Sequence, residues 1–433
     1  MPIDTDRRIP AGQGWLALSP VIVFLLLYVA VSIILDDFYK MPIAVALVAA
    51  SMWAVAIYRG RPLMERIETF SRAAGHFNIL YMIWVFVLAG AFASVAKEIG
   101  AIDATVNLTL RFFPPEFVIP TLFFAACFIS LSVGTSVGTV VALTPLAVEI
   151  AQIADANTAF YVAVVLGGAF FGDNLSFISD TTIAATRSQG CNMADKFKAN
   201  LWIALPAALI TLGAYIIMGQ DTPPIVLARE SDYFLILPYI VVLATAIAGI
   251  NVTIVLSLGI LTAIIMGVIN GVSLIDMASF AGSGIDGMGD LIIITLLAAG
   301  MLGLIKAAGG IQFLLQGLTS RISGRRGAQA ILALLVGIVN LCTANNTVAI
   351  ITVGGISRDI AERYGIDPRK SASLLDSASC VVQCLIPYGA QTLLATSLAG
   401  ISPAAPFPYL YYPWALAAMI ALSIIFLFPR RLN

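Results

Sequence analysis

Charge is scarce in this chain. Only 11% of its 433 residues are Asp, Glu, Lys or Arg, while 60% are hydrophobic. Soluble domains carry about 25% charged residues, and this much apolar surface cannot hide inside a globule. There is one histidine, His76, and the five cysteines (Cys127, Cys191, Cys342, Cys380, Cys384) form no CxxC. Zinc sites and Cys/His nucleophile pairs are therefore unsupported. Even Cys380 and Cys384, at helical i,i+4 spacing, read as small packing residues. Lys97 and Lys306 lie too near the ends of apolar runs to act as buried bases, so no enzyme is expected. With a net charge of −1, no nucleic-acid partner is expected either.

What the chain does have is long apolar runs separated by short charged loops, the pattern of an all-α polytopic membrane protein. Candidate spans are 15–35, 42–58, 79–97, 159–189, 196–218, 234–252, 253–270, 289–306, 371–400 and 409–428. The first apolar run is too long for a signal-peptide core and is read as a retained span. Two further apolar pairs, 116–133 with 141–154 and 328–342 with 348–363, flank the polar tips "GTSVGT" and "TANNT". They are expected to be re-entrant hairpins. With the N-terminus inside, 19 of the 23 Lys and Arg residues, including Lys196 and Lys370, fall in cytoplasmic segments; Lys40, Lys97, Arg111 and Arg229 fall outside. That bias predicts a multi-pass plasma-membrane protein with both termini cytoplasmic.

Laid on itself at an offset of 210, the chain shows a weak repeat. "VLAGAFASVAKEIGAIDATVNLTLRF" falls beside "LAAGMLGLIKAAGGIQFLLQGLTSRI", "LSVGTSVGTVV" beside "LCTANNTVAII", and "ISDTTIAAT" beside "YGAQTLLAT". The copies start on opposite sides of the membrane in the orientation above, so they are inverted repeats. Inverted repeats with paired broken helices point to a secondary transporter whose site lies near the midplane. The expected organisation is two N-terminal spans (1–78), a first repeat (79–218), connecting spans (219–288) and a second repeat (289–433). The stretch 219–288 is read as a connector or a homodimer surface.

Within this frame "GDNLSFISDTT" (172–182) sits where polar residues cost most. An acid at mid-membrane costs roughly 2.5–3.5 kcal/mol on insertion scales. The first half offers Thr135, Ser136 and Thr139 at its tip, then Asp173, Asn174, Ser176, Ser179, Asp180, Thr181 and Thr182 at its break. These are hard oxygen ligands suited to a dehydrated monovalent cation, with Asp173 and Asp180 as the expected Na+ ligands. A carboxylate there that lacks a cation takes up a proton, and competition between the two suffices for antiport. Asp180 also has an ordinary use, as a helix N-cap. The second half has no acid at its break. It offers Asn345, Asn346, Thr347, Gln383, Tyr388, Gln391 and Thr392, with Asp376 about 9 Å into its span. Neutral amides and helix ends can hold a second cation, or the carboxylate of an organic substrate.

These residues resemble the NhaC-type sodium/proton antiporters of the ion transporter superfamily. The resemblance rests on "GTSVGTVVALTPLA", "GGAFFGDNLSFISDTTIAAT" and "TANNTVAIITVGGISRDIAERYGIDPRKSASLLDSASCVVQCLIPYGAQ". It implies a cation-coupled exchanger with two hairpins and two broken helices around a midplane site. Thr135, Ser136, Asp173, Ser179, Asp180 and Thr181 would line the cation site, and Asn345, Asn346 and Thr347 the mirror tip. Relatives often have an aromatic residue where this chain has Val137. The resemblance leaves two expectations: Na+/H+ antiport, or Na+-coupled transport of a small amino acid or organic acid. No cofactor beyond Na+ as coupling ion is expected.

Overall fold

A computed structural model describes residues 10–34, 42–112, 117–176, 179–219, 233–248, 250–319 and 322–428. Every regular element among them is helical. In lipid the backbone has no water to bond, so each segment must satisfy its own donors and acceptors. Eight of the helical stretches are long and apolar enough to cross a membrane.

The element order is written twice. α1 (Ala11–Ile34), α2 (Ile43–Ile57) and α3 (Leu63–Ala74) are followed by α4 (Phe77–Glu98) and α5 (Ala101–Phe112). Then come the hairpin α6 (Val118–Val133) and α7 (Ser136–Ile153), the interrupted pair α8 (Thr158–Leu175) and α9 (Asp180–Gln189), and α10 (Met193–Gly219). The second writing has α11 (Leu237–Ile247), α12 (Val252–Ile269), α13 (Leu274–Asp286), α14 (Gly289–Ala307) and α15 (Gly310–Thr319). It continues with the hairpin α16 (Gly324–Thr343) and α17 (Asn346–Tyr364), the interrupted pair α18 (Pro368–Leu385) and α19 (Ala390–Ala399), and α20 (Tyr411–Ile425). The helices before α4 (α1–α3) and before α14 (α11–α13) occur in the same order.

Packing between the writings is reciprocal. α2 and α3 lie against α14, while their counterparts α12 and α13 lie against α4. Likewise α7 packs on α19 and α17 on α9. Each half thus packs several helices against the other. At one such junction a Cβ on Gly90 (α4) would sit 2.3 Å from the Gly284 carbonyl oxygen (α13), and one on Gly284 would sit 2.1 Å from that of Gly90. Only glycine lets two helix backbones approach this closely. Buried hydrogen bonds obey the same exchange. Ser130 Oγ donates to the Ala169 carbonyl (2.5 Å) and Asn340 Nδ2 to the Ser379 carbonyl (2.8 Å), each position 210 residues from its mate.

Both hairpins turn by the same backbone device. α6 ends on Gly134 in the left-handed region (φ 71°), and α16 ends on Ala344 in the same region (φ 49°). Thr135 and Asn345 then return the chain to extended geometry (φ −146° and −149°) before α7 and α17 begin. A left-handed residue is the usual way to end a helix, and glycine adopts it without a Cβ penalty. Ala344 bears that penalty.

Two of the basic residues assigned above to cytoplasmic segments are buried. Lys196 and Lys370 are each 0% exposed. Lys370 donates to Ser423 Oγ and, at 2.6 Å, to the Phe428 carbonyl just beyond α20. A cation placed there compensates the carbonyls a helix end leaves unbonded.

Candidate functional site

The hairpin tips and helix breaks converge on one cavity of about 550 Å³. Its lining contains seven pairs related by the 210-residue offset: Gly134/Ala344, Thr135/Asn345, Ser136/Asn346, Val137/Thr347, Asp173/Gln383, Asp180/Ala390 and Thr181/Gln391. The cavity therefore lies where the two writings of the chain meet. The other lining residues, Asn78, Tyr81, Met82, Val85, Ile250, Asn251 and Val252, come from one side only. They lie at the start of α4 and around the N-cap of α12, with Tyr81 Oη donating to Asn251 Oδ1 at 3.2 Å. Their counterparts on α14 include Met288 and Leu291, both buried and packed. One face of the site is open and the other is shut.

Asp173, near the C-terminus of α8, is the centre of the polar lining and only 5% exposed. Ser179 Oγ donates to its Oδ1 (2.5 Å), Ser136 Oγ to its Oδ2 (3.0 Å) and Asn346 Nδ2 to its Oδ2 (3.4 Å). One carboxylate thus ties the first break to both hairpin tips. Gln391 Nε2 donates to Ser136 Oγ (3.0 Å), Gln383 Nε2 to Gln391 Oε1 (3.0 Å) and to the Ala344 carbonyl (3.0 Å). Asp173 has no basic partner among the described residues. Among the described residues no Lys, Arg or His lines the cavity.

The sequence expectations divide here. Thr135, Ser136, Asp173, Asp180, Thr181, Asn345, Asn346, Thr347, Gln383 and Gln391 all line the cavity, and Ser179 reaches Asp173 from behind. Asp180 lines it without a hydrogen bond to Asp173 or to any other described residue, and is exposed. It is not the N-cap of α9; that is Ser179, whose Oγ accepts from Thr181 N (3.3 Å). Asp180 opens the first turn instead, where an acid faces the positive helix end. Asp173 and Asp180 thus line the same cavity from the two sides of the first break.

Besides Ser179, seven expected residues lie outside the lining: Thr139, Asn174, Ser176, Thr182, Asp376, Tyr388 and Thr392. Thr139 Oγ1 donates to the Thr135 carbonyl (3.3 Å) and Ser176 Oγ to the Leu131 carbonyl (3.0 Å). Tyr388 Oη donates to the Leu341 carbonyl (2.8 Å), and its ring meets Phe24 edge-on. Thr392 is buried beneath the second break. Thr139, Ser176 and Tyr388 thus bond to helix carbonyls rather than face the cavity.

Asn174 and Asp376 belong to a second buried cluster. Asp376 pairs with Lys196, both side chains 0% exposed. Lys196 Nζ also donates to the Asn174 carbonyl (2.6 Å) and Thr182 Oγ1 (2.8 Å). Asn200 Nδ2 donates to Asn174 Oδ1 (2.6 Å), and Ser373 and Ser377 donate to Asn200 Oδ1 (2.6 and 2.8 Å). This knot joins α8, α9 and α10 of the first half to α18 of the second. Lys196 and Asn200 were missed in the sequence. A lysine three residues into a helix after a polar turn reads as a loop charge, and only the fold reveals the aspartate opposite it.

The sequence profile of the Na+/H+ antiporter family matches residues 15–220 and 225–429. The two matched stretches begin at the same spacing as the repeat. Among similar proteins, the Na+/H+ antiporter NhaC of Alkalihalophilus pseudofirmus is 24% identical, over 76% of this chain and 78% of its own length. The malate-2H+/Na+-lactate antiporter of Bacillus subtilis is 22% identical over 97% and 95%. The arginine/ornithine antiporter ArcD of Halobacterium salinarum is 21% identical over 94% and 90%. With nearly the whole sequence matched, and with the repeat spacing and paired helix breaks described above, the chain belongs to the Na+/H+ antiporter family.

Proposed function

We propose that the protein exchanges Na+ for H+ across the membrane, with Asp173 as the carboxylate that each binds in turn. One observation carries this reading. Among the described residues two aspartates are deeply buried, and Lys196 neutralises only one of them. Asp173 faces the cavity with no cation of its own. An isolated buried carboxylate is too unfavourable to persist, so its counter-charge comes from solution, as a proton or a metal cation.

The hydroxyls of Ser136 and Ser179 fit both states. Facing an empty carboxylate they donate to it. When Na+ arrives, rotation of each hydroxyl turns a lone pair toward the ion, and Thr181 Oγ1, 2.8 Å from Ser179 Oγ, is the next oxygen in reach. The C-terminal end of α8 adds the negative pole of a helix dipole. Na+ binding then releases the proton, and a proton on Asp173 releases Na+.

Alternation follows from the fold's exchange symmetry. The open face lies at the start of α4 and of α12, ends that the positive-inside bias assigns to the cytoplasm. Closing Asn78 and Tyr81 onto the site while Met288 and Leu291 withdraw would open the other side. Both chain termini are cytoplasmic in this arrangement, and the membrane is the plasma membrane.

Proteoliposomes loaded with a pH-sensitive dye test the reading. Asp173→Asn abolishes Na+-dependent proton movement while the purified variant keeps its size-exclusion profile. Lowering pH raises the Na+ concentration for half-maximal exchange, by about tenfold per unit where the proton holds the site. Full exchange by Asp173→Asn would place the cation elsewhere.

A further inference from the structure

Behind the end of α8 lies a charged group that no step of the exchange uses. The Lys196 ammonium is surrounded by oxygen. It pairs with the Asp376 carboxylate and donates to the Asn174 carbonyl (2.6 Å) and to Thr182 Oγ1 (2.8 Å). Thr182 Oγ1 in turn donates to the Ser176 carbonyl (2.8 Å). Lys196, Asp376, Asn174 and Thr182 are each 0% exposed. A carboxylate, a carbonyl freed at a helix end and a hydroxyl are the hard donors that hold a dehydrated monovalent cation. Here an ammonium on a flexible stem stands in their midst.

Two observations set this apart from a salt bridge kept for stability. A buried ion pair adds little over apolar residues of the same volume, so stability alone gives no reason to keep both charges. The repeat also supplies a copy of the place without them. At the 210-residue offset Leu166 stands for Asp376 and Pro406 for Lys196. Thr392, the mate of Thr182, is buried, and its hydroxyl bonds to no described residue. Acid and base therefore occur together at the first break and are missing together at the second.

We propose that Lys196 is a tethered cation filling a second cation site, which leaves the protein one exchangeable Na+ site. The proposal rests on the reading of Asp173 above, in which a buried carboxylate without a basic partner takes its counter-charge from solution. Asp376 would be a second such acid if Lys196 did not supply the charge from within. The ammonium thus sets the number of Na+ ions loaded per cycle at one. It also conceals a latent site. Shortening Lys196 to alanine empties the oxygen set, and the vacated stem leads inward from the start of α10, where Asn192, Met193 and Ala194 are exposed. Na+ from solution then takes the place of the missing ammonium.

Binding of radioactive Na+ and thermal unfolding of the purified full chain test this, in Na+ against K+ at equal ionic strength. The unmodified protein binds one Na+ per chain, with a Hill coefficient of about 1, since that coefficient cannot exceed the number of sites. Lys196→Ala binds two. Its unfolding temperature is low in K+ and rises in Na+ by more than that of the unmodified protein, because each bound ion stabilises by mass action. A merely structural lysine would leave the loss equal in both salts. Adding Asp376→Leu to Lys196→Ala removes the extra ion and its stabilisation. Lys196→Ala in an Asp173→Asn background keeps one Na+, so the second site is read whatever Asp173 does. Two Na+ ions on the unmodified protein would overturn the proposal, as would a Lys196→Ala chain that gains no ion in Na+ or stays unfolded there. No Na+ on the unmodified protein, with one ion still gained by Lys196→Ala, would instead overturn the reading of Asp173 and support the tethered cation.

Discussion

The two halves of this protein present nearly the same backbone to the cavity and opposite chemistry. Asp173 in the first half is answered by Gln383 in the second, Ser136 by Asn346, and Thr181 by Gln391. Hydroxyls and a carboxylate face amides across the exchange axis. A hydroxyl can donate to a carboxylate and then turn a lone pair to a cation. An amide already bonded on both nitrogen protons cannot reverse its role. On the exchange mechanism proposed above, alternation uses two similar frames, while ion exchange uses one titrating group between them.

Moving the acid to the other half tests this most severely. In an Asp173→Asn background, Gln383→Asp is expected to leave Na+-dependent exchange below a tenth of normal. Around position 383 the counterparts of Ser136 and Ser179 are Asn346 and Gly389, which carry no hydroxyl. Restoration to near-normal flux in proteoliposomes would show the halves to be chemically interchangeable.

The buried ion pair gives the next largest effect. Lys196→Met leaves Asp376 without its cation in a fully buried site, and removing one partner of such a pair costs about 3–5 kcal/mol. The double variant Lys196→Met, Asp376→Leu removes both charges and recovers most of that loss in thermal unfolding. A double variant no better than the single one would mean that the wider knot, through Asn174 and Asn200, needs the charge itself.

Helix crossings on the two sides should differ more modestly. Gly284→Ala pushes a Cβ into the Gly90 backbone, which cannot yield, and is expected to cost about 1–3 kcal/mol. The counterpart of Gly90 is Gly300, where an added Cβ would lie 2.4 Å from the Phe70 ring, a side chain able to swing. Gly300→Ala should therefore cost less, as read by unfolding temperatures of the two variants side by side.

The smallest contrast is at the tips. Asn345 Oδ1 caps α17 by accepting from Val348 N (3.0 Å), whereas Thr135 makes no side-chain cap on α7. Asn345→Ala should cost about 1 kcal/mol and Thr135→Ala almost nothing in stability. An equal loss at both tips would place Thr135 in a structural role after all.

Much of the fold could be read in advance. The hairpins at "GTSVGT" and "TANNT", the breaks after Leu175 and Leu385, and the asymmetry of one acid against one amide all follow from where polar residues interrupt apolar runs. The shared order of the helices before α4 and before α14 was less visible. α1–α3 and α11–α13 are plain apolar or amphipathic helices without polar interruptions, and such helices carry no mark of correspondence. The site was legible as a set and not as a geometry. Asn174 and Asp376 turn away from the cavity that Asp173 faces, because adjacent residues on a helix point in different directions and the fold decides which has a partner. Lys196 and Lys370 looked like loop charges for the same reason: their acceptors come from α18 in one case and from just beyond α20 in the other, far along the chain.

By itself the sequence determined that this chain is a helical membrane protein built from two related halves, with oxygen-rich interruptions at matching places. It did so because hydrophobic length and buried polarity have few solutions in lipid. The tertiary structure alone decided which of the buried acids is left without a basic partner. Neutralisation depends on what lies opposite each carboxylate, and Lys196 is brought to Asp376 only when the two halves close on one another.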